Sequence, residues 1–254
     1  MIVVARDLAP AQLDSVLGRT SPVLKLGVAV VWFVGLATTL RIGPPLALAV
    51  VAAAAGIIAG RIPVEDLARA VAPIWLAALG LAFFDTVFAA VNADPSATTV
   101  AQLGPFRITA AGLMSGVGLG LRLIAVGAVG AVFILTTDST RLADALVQQA
   151  GLSPRFAYGA LAAYQAVPRF GEDLTTLRQA RRLRGLRGGW HPRLLVSLLV
   201  LAIRHGDRVA LAMDARAFGS GPRTRYRELR WGWLDLCVAV GAGAALAMAL
   251  ALGS

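Results

Sequence analysis

Two arginines late in the chain carry the features most suited to recognition. Arg184 lies in LRG at 183–185, within ARRLRGLRGG, and Arg216 in ARA at 215–217, within MDARAFGSG, thirty-two residues further on. An arginine fork can bond carboxylates and backbone carbonyls at the same time, so these tips suit docking into a polar groove rather than bond-making chemistry. Val209, Met213 and Arg216 follow one another at spacings of four and three, which puts the arginine at the end of an apolar helical stripe, placed to enter a partner's groove. Two plainer uses stay open: Arg216 could bond the last carbonyls of its own helix, or reach lipid phosphates. For the first tip ARR at 180–182 is a rival frame, and Gly185 directly after Arg184 favours the later one.

No catalytic residue and no cofactor site stands out. There is no GxxxxGK[ST] loop to cradle phosphates. GVGLGLR at 116–122 is only superficially like a dinucleotide loop, because no strand precedes it and an apolar helix contains it. His191 and His205 are isolated, which argues against a metal site. The single cysteine, Cys237, lies in an apolar segment and is expected to be a small buried hydrophobe.

The elements that must position the arginines follow from composition. Of 254 residues 57% are hydrophobic and 15% charged, with a mean hydropathy of +0.72, which places the chain in a membrane. Apolar runs at 26–40, 44–60, 71–91, 110–136 and 231–252 make about five spans, given that roughly 20 residues cross a bilayer. The opening MIVVARDLAPAQLD interrupts its apolar run with Arg6 and Asp7, so no signal peptide is expected. The net charge of +10 does not indicate nucleic acid: all basic residues but Lys25 are arginine, and aromatic residues do not interleave with them.

Charge also sets orientation. Residues 137–230 hold 16 arginines and 7 acids, a local +9 that accounts for nearly all of the net charge. Basic residues near spans stay on the cytoplasmic side, so this segment and, by parity, the N-terminus are expected there. Within it, Asp138 or Ser139 can cap a helix reaching Gln149, with Gly151 beyond its end. Ser153 and Pro154 start a second helix to about Leu183, with a kink near Pro168. A third runs from His191–Pro192 to Gly219, its first half, LLVSLLVLAI at 194–203, apolar on every face.

Within the spans, Gly112, Gly116 and Gly120 form overlapping GxxxG steps and Gly56 with Gly60 another, suited either to packing inside the chain or to docking a membrane partner. Asp85 and Arg122 should face protein, water or each other, serving either an ion pathway or a structural role.

Taken together, the chain resembles the transmembrane coupling subunit, or T component, of energy-coupling factor (ECF) transporters. LRG at 183–185 and ARA at 215–217 are similar to the family's two Ala-Arg-Gly or Ala-Arg-Ser motifs, with Leu183 and Ala217 departing from them. RTSPVLKLGVAV at 19–30 resembles its Pro-x-x-Lys opening of the first span, and LTTDSTRLADAL at 135–146 the start of its coupling region. The resemblance implies an all-α membrane protein with four spans in 1–136, a cytoplasmic coupling-helix region at 137–230 and a last span at 231–254. It implies a non-catalytic subunit in a prokaryotic cell membrane whose partners are two cytoplasmic ABC ATPases, a substrate-binding S component and the lipid bilayer. Arg184, Gly185, Ala215 and Arg216 would contact the ATPases, and the cargo would be a vitamin or transition-metal ion, with biotin, cobalt and nickel open. A secondary transporter or channel built on Asp85 and Arg122, and a scaffold without transport, are the alternatives.

Overall fold

The computed structural model describes residues 10–39, 41–93, 97–103, 106–186, 191–219, 221 and 227–252. The expectation about the first nine residues and the basic stretch 187–190 lie outside them. Two short helical turns, α1 (Pro10–Leu13) and α2 (Val16–Arg19), precede five apolar helices: α3 (Pro22–Ala37), α4 (Gly43–Ile58), α5 (Val64–Phe88), α6 (Ala110–Thr136) and, at the C-terminus, α10 (Trp233–Ala251). Between α6 and α10 come α7 (Ser139–Gln148), α8 (Pro154–Leu183) and α9 (Pro192–Ala215). The chain is an all-α membrane protein, and Ser139–Leu229 pack as one compact unit, the five apolar helices as another.

All five apolar runs are helical, but among the described residues three helices are long and apolar enough to cross a membrane: Val64–Asn92, Ala110–Thr136 and Trp233–Ala251. Helices α3 and α4 have 16 residues each, about 24 Å at 1.5 Å per residue, short of a hydrocarbon core of about 30 Å. Helix α5 begins seven residues earlier than its apolar run and carries Pro73 inside. Its first turn holds Glu65 and Asp66, which suit the positive end of the helix, and Arg69 reaches back to both, at 2.7 and 3.1 Å. Charge therefore masked the first turns of a helix that the acids themselves favour.

Helix α6 is the centre of this unit and packs against α3, α4 and α5. All its buried residues but Thr136 are glycine or alanine, Gly112, Gly116, Gly118, Gly120, Ala125, Ala128 and Ala131, so neighbouring backbones approach closely. Trp32, Leu36, Leu48, Ala52 and Ala249 complete one core cluster with Ala125 and Ala128; Ile62, Leu67 and Val71 form a second with Ala131. Cys237 is exposed on α10, contrary to the buried position expected. A helix apolar all round, in a lipid environment, gains nothing by turning a small apolar residue inward.

The turns α1 and α2 had no counterpart in the sequence reading, and neither did an antiparallel hairpin of β1 (Thr99–Leu103) and β2 (Phe106–Thr109). Asn92 holds its base. Its Nδ2 donates to the carbonyls of Thr86 and Val87 at the end of α5, and its Oδ1 accepts from the Thr109 amide and hydroxyl at 3.1 and 2.8 Å. Thr109 in turn caps α6, accepting from the Gly112 amide at 3.1 Å.

Candidate functional site

Helix α8 starts as its residues dictate, with Ser153 as N-cap and Pro154 in the first turn. It continues through Pro168 to Leu183. Arg184 is its C-cap, and the turn that follows is a Schellman motif: the Gly185 amide donates to the Arg182 carbonyl at 3.0 Å, and the Leu186 amide to that of Arg181 at 3.2 Å. Gly185 has φ +73°, the left-handed region that favours glycine.

Helix α9 is capped at its start by His191, whose Nδ1 accepts from the Arg193 amide, and it ends in the same way as α8. Arg216 is the C-cap; the Ala217 amide donates to the Asp214 carbonyl at 2.9 Å and the Phe218 amide to that of Met213 at 3.0 Å. Ala217 takes φ +53°, the position glycine holds after Arg184. The two arginines thus occupy equivalent positions, which favours Arg184 over the rival frame at 180–182.

Both guanidinium groups are exposed, and among the described residues neither takes a hydrogen bond or ion pair. The turn amides take the carbonyls of Arg181 and Arg182 in one turn and of Met213 and Asp214 in the other, and neither arginine side chain caps its own helix. Leu183, next to Arg184, is 89% exposed.

The helices α8 and α9 run antiparallel. Phe170 meets His205 edge to face at 6.2 Å between ring centroids, and Tyr158 meets Phe218 at 6.1 Å. Contacts early in α8 with the end of α9 put the two arginines at opposite ends of the pair. Twenty-six residues separate Tyr158 from Arg184, so the tips lie roughly 40 Å apart along the helices at 1.5 Å per residue. The Arg216 end is braced further: Tyr158 donates to Asp144 Oδ1 of α7 at 2.6 Å, and Arg155 lies against Gly219. The first half of α9 leaves Leu195, Val196, Leu199, Val200 and Ile203 exposed on this unit, an apolar patch that requires cover by lipid or protein.

A match to the CbiQ family, described as a cobalt transport protein, runs over residues 14–226. The chain belongs to this family of ECF transporter T components. It is 31% identical over 242 residues, 85% of each chain, to the energy-coupling factor transporter transmembrane protein EcfT of Heliobacterium modesticaldum. It is 26% identical over 239 residues, 87% of each chain, to EcfT of Bacillus selenitireducens. A shorter similarity, 28% over 159 residues, covers 55% of this chain and 59% of EcfT of Listeria innocua.

The remaining candidate residues of this T component lie in the other compact unit. A Cβ on Gly112 would fall 2.5 Å from Asn92 Oδ1; on Gly116, within 2.5 Å of both Thr86 Oγ1 and the Ala82 carbonyl; on Gly120, 3.0 Å from Ala82 Cβ. Gly56 meets Val132 of α6 and Gly60 meets Thr136. All five glycines are therefore occupied with packing inside this chain. Asp85 and Arg122 are not partners: Asp85 Oδ2 accepts from Ser115 Oγ at 2.7 Å, and Arg122 donates to the Thr39 carbonyl just past α3. Each has a local polar partner, for Arg122 a carbonyl at the negative end of a helix, although its buried Nε makes no hydrogen bond.

Two buried charges had no site role in the sequence reading, which placed Lys25 only in the Pro-x-x-Lys stretch and did not single out Asp235. Lys25 is 8% exposed and Asp235 6%. A signal for each was present: Lys25 is the only lysine in the chain, and Asp235 the only acid in the last apolar run.

Proposed function

We propose that this T component couples two cytoplasmic ABC ATPases to a membrane S component, with Arg184 in a groove of one ATPase and Arg216 in that of the other. The observation that carries this is the equivalence of the two tips: the same C-cap position, the same turn, exposed guanidinium groups, and opposite ends of one antiparallel helix pair. Two identical levers facing apart suit two similar partners. ATP hydrolysis belongs to those partners, and this chain carries their closure into the membrane. The coupling region is 137–230, flanked by membrane regions 1–136 and 231–254. The N-terminus is cytoplasmic and the protein crosses the plasma membrane several times. The exposed apolar face of α9 meets lipid or the S component. The cargo is a vitamin or a transition-metal ion, bound by that S component.

Affinity purification in mild detergent tests this reading. Two ATPase chains should accompany the wild-type protein and be lost from Arg184→Glu with Arg216→Glu. Recovery of the chain alone, with reconstituted transport indifferent to ATP, would overturn it.

A further inference from the structure

The chain leaves the membrane unit between Asp138 and Ser139 and returns between Leu229 and Arg230. The residues bordering both crossings are held by one short segment. Lys25 Nζ donates to the carbonyl of Thr136, the last residue of α6, at 2.9 Å, to its hydroxyl at 3.3 Å and to the Leu17 carbonyl at 3.0 Å. The Ser21 amide donates to Asp235 Oδ1 at 2.7 Å, and Asp235 Oδ2 accepts from the Gly232 amide at 2.9 Å, closing the first turn of α10. Upstream of that turn, Gln148 at the end of α7 holds the returning chain from the other unit, accepting from the Leu229 amide and donating to the Arg227 carbonyl.

We propose that Ser21 and Lys25, acting through Thr136 and Asp235, are positioning residues that fasten both crossings and pass motion of the coupling helices into α3, α6 and α10. The inference rests on the coupling role proposed above. Stability alone does not account for the arrangement, because a buried ammonium and a buried carboxylate are costly relative to apolar residues of similar size. Directional bonds at these points do what packing cannot. The ammonium has three donors and meets three acceptors, two of them main-chain carbonyls, and Thr136 presents the negative end of α6. A displacement of α6 or of the returning chain therefore pulls on the opening of α3 through fixed bonds.

The test uses hydrogen–deuterium exchange on the full chain purified with its co-expressed ATPases, with and without ATP and vanadate. Two sets of peptides are compared: those covering the arginine tips, and those covering 15–25, 133–139 and 228–237. In the wild type, ATP and vanadate should alter exchange in both sets. In Lys25→Met and in Ser21→Pro the response at the tips should persist and that at the membrane crossings should be lost. Ser21→Pro removes the amide donor, along with the hydroxyl, without forcing the backbone, since Ser21 already has φ −59° and precedes the helix. Lys25→Arg should restore part of the response, because it keeps a cationic donor within reach of the Leu17 and Thr136 carbonyls. Wild-type responses at the crossings in both Lys25→Met and Ser21→Pro would overturn the proposal. Should Lys25→Met not assemble, Ser21→Pro decides alone. Wild-type protein that brings down no ATPase, or shows no response at its tips, would instead overturn the coupling reading and this inference with it.

Discussion

Gly185 and Ala217 occupy the same left-handed position, directly after Arg184 and Arg216, in two Schellman turns that are otherwise alike. The chain spends a favourable residue on one turn and a strained one on the other. Nothing in the structure explains why alanine is kept at 217.

Exchanging these residues should therefore have opposite effects. Ala217→Gly relieves a left-handed alanine and should stabilise the coupling unit by about 1 kcal/mol, and Gly185→Ala should destabilise it by about the same amount. Space does not limit the second change, since a Cβ on Gly185 would meet nothing within 4 Å. Chemical denaturation followed by exchange in peptides of α8 and α9 would measure both.

Tyr158 braces the Arg216 tip by its ring against Phe218 and by its hydroxyl to Asp144. Tyr158→Phe should cost about 1 kcal/mol, one hydrogen bond, and leave the tip in place. Tyr158→Ala should also release Phe218, seen as faster exchange at 214–219 and weaker ATPase co-purification with both arginines intact.

Gly116 is the tightest point of α5 against α6. Gly116→Ala should destabilise the membrane unit by about 1–3 kcal/mol, the range for overpacking, because backbone of α5 blocks the methyl group. Gly80→Ala, on the open side of α5, is the control and should leave detergent melting unchanged.

Asp85 and Arg122 have separate partners, so their neutralisation should be additive. The loss from Asp85→Asn with Arg122→Gln should equal the sum of the single losses to within about 0.5 kcal/mol. Recovery in the double variant would show an interaction between them that the hydrogen bonds to Ser115 and the Thr39 carbonyl do not contain.

Much of the fold was legible in the sequence because its signals are local. Long apolar runs without charge must become helices in a membrane, where no water can satisfy an open backbone. Ser153–Pro154, His191–Pro192 and Gly151 mark helix ends through the conformations those residues favour, and α8 ends at Leu183 as its pattern requires. The start of α5 was missed because hydropathy counts Glu65, Asp66 and Arg69 against a span, while helix electrostatics counts the two acids in favour of a first turn. The hairpin at 99–109 was missed because its anchor, Asn92, lies beyond the reach of any local pattern.

The sequence by itself determined that this is a helical membrane protein of the T-component type, with arginine at two helix ends. Only the tertiary structure decided that those ends are equivalent turns at opposite ends of one antiparallel pair, that all five glycines are used inside the chain, and that Asp85 and Arg122 are apart. It also decided that Lys25 and Asp235 hold the two chain crossings. Helix periodicity and capping act over a few residues, whereas the bond from Lys25 to Thr136 joins positions 111 residues apart and that from Ser21 to Asp235 positions 214 apart. Such pairings exist only once the helices have chosen their neighbours, and no single stretch of chain contains that choice.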